Sequence, residues 1–185
     1  MSVKKRPFAD INEIRQTREA VSKQPELGKV TFSLKGQSNG GISMAAKTGA
    51  FIQNGQADEG RIGKFTLVSD EPKALLGTDA GPTPPEHLLQ ALAGCYTVTL
   101  AAMAAEKGIE LSGLECDLGI DIDFNGFFDL DKSVRKGAQG ISVDLRVTSD
   151  TASRAEIEEL IAELPNKSPI YDTIANPVKI TTRLV

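Results

Sequence analysis

The sequence predicts an α+β fold in which helices pack on antiparallel sheet. Two observations carry that prediction. The elements follow the order βββ-α-ββ-αα-β, and one long helix with no charged residue between Leu88 and Ala105 sits in the middle of them. A third observation bounds it. A chain of 185 residues, 40% apolar and 25% charged, has the composition of an ordinary soluble protein and is long enough for one domain with a hydrophobic core. The net charge of −4 lacks the basic footprint of a nucleic-acid binder. The cluster Lys4, Lys5, Arg6 reads as a solvated tail. With no apolar leader at the start and only two cysteines, a reducing cytoplasmic setting is expected.

Asp10 to Lys23 reads as an exposed amphipathic helix, with Asp10 placed to cap it and Glu13 three residues on. Lys29 to Leu34 alternates as a strand, Gln37 to Gly41 is a turn, and a second strand covers Ile42 to Thr48. Asn54 to Gly60 reads as loop and Lys64 to Ser69 as a third strand, which makes this region a β-meander. Gly77 to Pro85 is a stiff approach rich in Gly and Pro. Pro84, Pro85 and Glu86 suit a first helical turn, and Gly108 suits the end of the same helix. From Leu114 to Phe124 apolar and acidic residues alternate, as in a long half-buried strand, and Gln139 to Thr148 pairs back on it. Ser153 to Leu164 is a helix with Ser153 as cap and Glu156 at its third position. Ser168 to Ala175 is a short helix, and Val178 to Leu184 reads as a last strand.

The central run is long enough to raise the question of a membrane span. Its Ala, Gly, Thr and Gln content and the absence of flanking basic clusters argue against one. A helix apolar all round is otherwise buried in protein. Its small residues allow close approach, so a second copy of the chain is expected to finish covering it, in a homodimer.

The chain has one histidine, His87, eight residues before Cys95 on the same helix. That is about 12 Å along the axis at 1.5 Å per residue, too far for a Cys-His pair. Asp121 to Gly126 matches the start of a calcium loop, but the twelfth position is Lys132 where a bidentate Glu is needed, and Asn125-Gly126 reads as a turn. Zinc-type Cys/His clusters and phosphate-binding glycine loops are missing, so neither metal nor cofactor is expected. Cys116 lies on the apolar face of its strand, where a cysteine is usually a small hydrophobe.

Three segments resemble the OsmC/Ohr family of thiol-dependent hydroperoxide reductases and its OsmC-like relatives. They are SDEPKALLGTDAGPTPPEHLLQALAGCYTVTLAAMAAEKGIEL, the long strand that follows it, and NKSPIYDTIANPVKITTRLV. The resemblance covers residues 28 to 185, leaving 1 to 27 as an N-terminal extension with a helix. It implies a single OsmC-like two-layer domain, antiparallel sheets around a long buried helix, in an intertwined homodimer. It also implies a peroxidatic thiolate that attacks an organic hydroperoxide, a second cysteine that resolves the sulfenic acid, an Arg and a Glu at the site, and reduction by a dithiol.

Carried over residue by residue, Cys95 takes the peroxidatic position and Glu86 that of the helix-start glutamate. The second cysteine falls on Ser168, which cannot form a disulfide, so an external thiol reductant is implied. For the arginine the resemblance offers Arg61, with Lys47 also near; without a cation, burial disfavours a thiolate. The expected function is reduction of organic hydroperoxides by a single cysteine. The alternative is a catalytically silent relative binding a small apolar ligand at the dimer interface.

Overall fold

The computed structural model describes residues 6–185. Lys4 and Lys5 of the basic cluster lie outside these residues. The chain divides into two compact units, Asn12–Leu88 and Leu89–Val185, the second joined by the residues up to Ile11.

The first unit opens on helix α1 (Ile11–Lys23), which buries none of its residues. Six short strands follow: β1 (Val30–Thr31), β2 (Leu34–Ser38), β3 (Met44–Thr48), β4 (Phe51–Gln53), β5 (Gln56–Asp58) and β6 (Thr66–Ser69). They form two antiparallel three-stranded sheets, ordered β1-β4-β5 and β2-β3-β6. The segment expected as one strand over Lys29 to Leu34 is therefore broken, its halves belonging to different sheets. Residues expected as loop after Asn54 hold β5, paired with β4. Asn54 and Gly55 both have positive φ, 50° and 74°, the conformation a tight Asn-Gly hairpin requires.

The second unit is built on α2 (Pro84–Glu106), which it contains from Leu89 onward, and on the hairpin of β7 (Leu111–Asp121) with β8 (Gly140–Ser149). Short helices complete it: α3 (Phe124–Phe127), α4 (Arg154–Ala162), α5 (Leu164–Lys167) and α6 (Pro169–Ala175). Leu92, Tyr96, Leu100 and Ala104 of α2 join Leu111, Leu160 and Leu164 in one buried cluster. Leu114, Leu118, Val143 and Leu145 of the hairpin pack against it. Fully burying a leucine contributes about 1.5–3 kcal/mol, so this cluster holds the unit together. Although α2 has the length and composition of a membrane span, it supplies the core of this unit. The expected cap of α4 is present in full, with Ser153 and Glu156 bonding reciprocally.

Four further expectations are corrected. β7 stops at Asp121 rather than at Phe124, because the Asp123 carboxylate accepts from the Asn125 amide and starts α3, which absorbs the expected Asn125-Gly126 turn. Pro165 follows the break between α4 and α5, where one helix was expected. Arg6 is not a free tail residue: it pairs with Glu110 at 2.9 Å. The segment from Val178 to Leu184 forms no strand, since a strand needs a ladder partner and the described residues give it none; Val178, Ile180 and Leu184 are exposed. Within the single chain α2 is left partly uncovered, with Leu88, Gly94 and Val98 exposed, Val98 to 70%.

Candidate active site at Cys95

The approach to α2 is fixed by a buried carboxylate that the sequence reading missed. Asp70, 2% exposed, directly follows β6. Its Oδ2 accepts from the Thr78 hydroxyl at 2.6 Å and from the amides of Thr78 and Ala80 at 3.0 and 3.1 Å. These bonds, the Thr78 hydroxyl foremost, lower its pKa to about 2. Oδ1 is buried without a hydrogen-bond partner.

Helix α2 then starts on a reciprocal cap. Glu86 Oε2 accepts from the Thr83 amide at 2.7 Å and its hydroxyl at 3.0 Å, while the Glu86 amide donates to Thr83 Oγ1 at 3.3 Å. The bond from the Thr83 amide is the main reason the Glu86 pKa is lowered, so the side chain stays a carboxylate. His87 Nε2 lies 2.9 Å from the Val68 carbonyl, which can only accept, so that nitrogen carries the proton. His87, too far along α2 to pair with Cys95, makes this bond to the end of β6 instead. Arg61 closes a single 3-10 turn, and its guanidinium lies 5.6 Å from the Phe65 ring centroid. Asp70, Glu86, His87 and Arg61 all belong to the Asn12–Leu88 unit.

In the other unit the fold brings two of the expected residues together. Cys95, half-buried near the middle of α2, receives a hydrogen bond from the Ser168 hydroxyl, with Oγ 3.1 Å from Sγ. These residues are 73 positions apart in the chain. Ser168 is 2% exposed and caps α6, its Oγ accepting from the Tyr171 amide at 3.2 Å. Its own amide donates to the Leu164 carbonyl at 2.9 Å, so the turn between α5 and α6 holds it from both sides. Two tyrosines not singled out in the sequence flank this point. Burial raises the pKa of Tyr96, and the neighbouring charges of Tyr171 and Cys95 raise it further. The signal for Tyr171 was present in the chain: it stands three residues after Ser168, the spacing of a helix cap.

The second thiol is in a different setting. Cys116 on β7 faces Leu145 across the hairpin, and burial raises its pKa, with Asp117 adding to the effect. Both thiols are free.

The geometry is that of a half-buried helix thiol held by a hydroxyl, in an α+β chain with a long apolar helix. The family profile described as OsmC-like protein matches residues 77–183, more than half of the chain. The chain belongs to the OsmC-like family. An OsmC-like protein from Mycoplasma pneumoniae superimposes with a TM-score of 0.60 at 23% identity, over 78% of this chain and 87% of that one. An organic hydroperoxide resistance protein OsmC from Legionella pneumophila gives 0.57 at 18% identity, over 78% and 88%. An OsmC-like protein from Vibrio cholerae gives 0.55 at 9% identity, over 78% and 91%. At these identities the likeness establishes the OsmC-like fold. Among curated proteins nothing matches the sequence.

Proposed function

We propose that this OsmC-like protein reduces organic hydroperoxides through Cys95 alone, with an external thiol as reductant. The observation that carries this is the Cys95–Ser168 contact: a partly accessible thiol meets a hydroxyl where a two-thiol enzyme needs a second sulfur. Attack of the Cys95 thiolate on the terminal peroxide oxygen forms an S–O bond and breaks the O–O bond. The alcohol leaves with a proton, and Cys95 becomes a sulfenic acid. A first reductant thiol condenses with it, releasing water and leaving a mixed disulfide; a second thiol frees Cys95 and departs as the oxidised disulfide. Glu86 and Arg61 are assigned as the carboxylate and the cation that orient the peroxide and hold the thiolate, residues 28 to 185 as the single domain, and the cytoplasm as the setting.

The working form is a homodimer. The Asn12–Leu88 unit contains no buried apolar residue, while Phe32, Leu34, Met44 and Phe65 are exposed, as are Val98 on α2 and Ile180 near the C-terminus. Apolar surface on this scale marks an interaction face, and a second copy of the chain is the partner the intertwined arrangement supplies.

The test is steady-state consumption of cumene hydroperoxide with dithiothreitol as reductant. Cys95→Ser is expected to lower the rate by at least about a hundredfold, and Cys116→Ser to leave it within about twofold. Parental turnover in Cys95→Ser contradicts the assignment.

A second reading is favoured by one observation. A cavity of about 330 Å³ beside the core is lined by Leu92, Tyr96, Val143, Tyr171 and Ile174, with Arg135 among its residues. A silent family member would use such apolar walls to bind a small apolar ligand.

A further inference from the structure

We propose that Ser168 is a positioning residue whose hydroxyl holds the Cys95 sulfur in its ionised form. This role rests on Cys95 being the nucleophile. Three features of the contact point to it.

The first is direction. The Ser168 Oγ already accepts from the Tyr171 amide at 3.2 Å, so a lone pair of that oxygen is engaged and its proton is left to donate. Cys95 Sγ, at 3.1 Å, is the acceptor the structure gives that proton. The amide also polarises the hydroxyl and strengthens the second bond of the chain N–H···O–H···S.

The second is rigidity. Ser168 is 2% exposed, its amide donates to Leu164 and its carbonyl accepts from Asp172 at 3.0 Å. The hydroxyl therefore stays aimed at the sulfur without reorganisation, the condition under which a fixed dipole favours a charge.

The third is chemistry. A thiolate accepts a hydrogen bond more strongly than a thiol does, so a donor held against the sulfur favours the charged form. A cysteine at the same position has a much weaker donor than a hydroxyl. Ser168 thus gives up the capacity to form a disulfide and gains the capacity to hold the nucleophile. Its helix cap and its thiol contact use different atoms of one hydroxyl, which is why a substitution test has to separate them.

The experiment measures the rate of iodoacetamide labelling of Cys95 against pH, by intact mass, in the full chain carrying Cys116→Ser. Ser168→Ala is expected to slow labelling about tenfold near neutrality and to move the profile alkaline by about one pH unit. Ser168→Thr, which keeps both the hydroxyl and a good cap, is expected to follow the parent. Ser168→Gly removes the hydroxyl with little cost to the cap and is expected to follow Ser168→Ala, which also guards against a folding failure of the alanine variant. A parental profile in Ser168→Ala or Ser168→Gly overturns the proposal. So does a Ser168→Thr protein that behaves like Ser168→Ala, since loss of the cap or packing then accounts for the effect. No peroxide enters this measurement, so a protein that never turns over hydroperoxide still reports on Ser168, and turnover alone reports on the proposed function.

Discussion

The two units of this chain differ most in what they bury. Every buried apolar residue, from Leu92 to Leu164, lies in the Leu89–Val185 unit, whereas the buried residues of the Asn12–Leu88 unit are Ser43 and Asp70, both polar. The Leu89–Val185 unit has a core, and the candidate nucleophile sits on the helix that supplies it. The Asn12–Leu88 unit is held by backbone ladders and side-chain bonds such as those of Asp70, and it leaves Phe32, Leu34, Met44 and Phe65 exposed. The difference teaches that one unit buries a core of its own while the other buries none, although both leave apolar side chains exposed, Val98 and Ile180 among them in the cored unit. The proposed chemistry at Cys95 would then be mounted on the cored unit, and the proposed self-association would draw mainly on the exposed apolar residues of the other.

The strongest way to break this comparison is a pair of leucine substitutions. Leu160→Ala, at a fully buried site, is expected to cost about 2–5 kcal/mol in denaturant unfolding at any protein concentration. Leu34→Asp, on an exposed face of β2, is expected instead to weaken self-association at least tenfold in sedimentation equilibrium, leaving the secondary structure by circular dichroism unchanged. If Leu34→Asp unfolds the chain, or has no effect on association, the division of roles between the units is wrong.

A smaller effect sharpens the picture of the uncored unit. The folded-state pKa of Asp70, about 2, lies below its ordinary value of 3.8. The carboxylate therefore stabilises the fold fully above about pH 4, and the contribution disappears as pH falls through about 2. Asp70→Asn is expected to lower Tm at pH 7 and to flatten its decline between pH 4 and 2. An unchanged acid profile contradicts the role given to Asp70.

The same contrast governs what the sequence revealed. Where one face of an element packs on a core of its own chain, patterning is legible. The alternation of β7, the partner strand β8, the Ser153–Glu156 cap and the apolar run of α2 were all readable, because burial imposes period and caps need particular atoms. In the uncored unit the signal fails. Phe32 continues the alternation of Val30 and Leu34, yet the strand breaks there. The signal fails also at the end of the cored unit, where the apolar period of Val178, Ile180 and Leu184 packs on no core and forms no strand. Such patterns have no core of their own chain to pack on, so periodicity alone does not turn them into regular elements. The hairpin at Asn54-Gly55 was legible from turn chemistry and was passed over. At the site, Cys95 and Ser168 came from resemblance and are adjacent in space. Tyr96 and Asp70 emerged only from the fold, since contacts between distant residues leave no periodicity, whereas Tyr171 was legible at cap spacing from Ser168 and was passed over.

The measurement that tests the central claim most directly is intact mass after a brief exposure to cumene hydroperoxide with dimedone present. One dimedone adduct at Cys95, formed at low oxidant while Cys116 stays unmodified, is the predicted result, for it captures the sulfenic acid on the assigned sulfur. A thiol at Cys95 that remains free and unmodified under the same exposure contradicts the account.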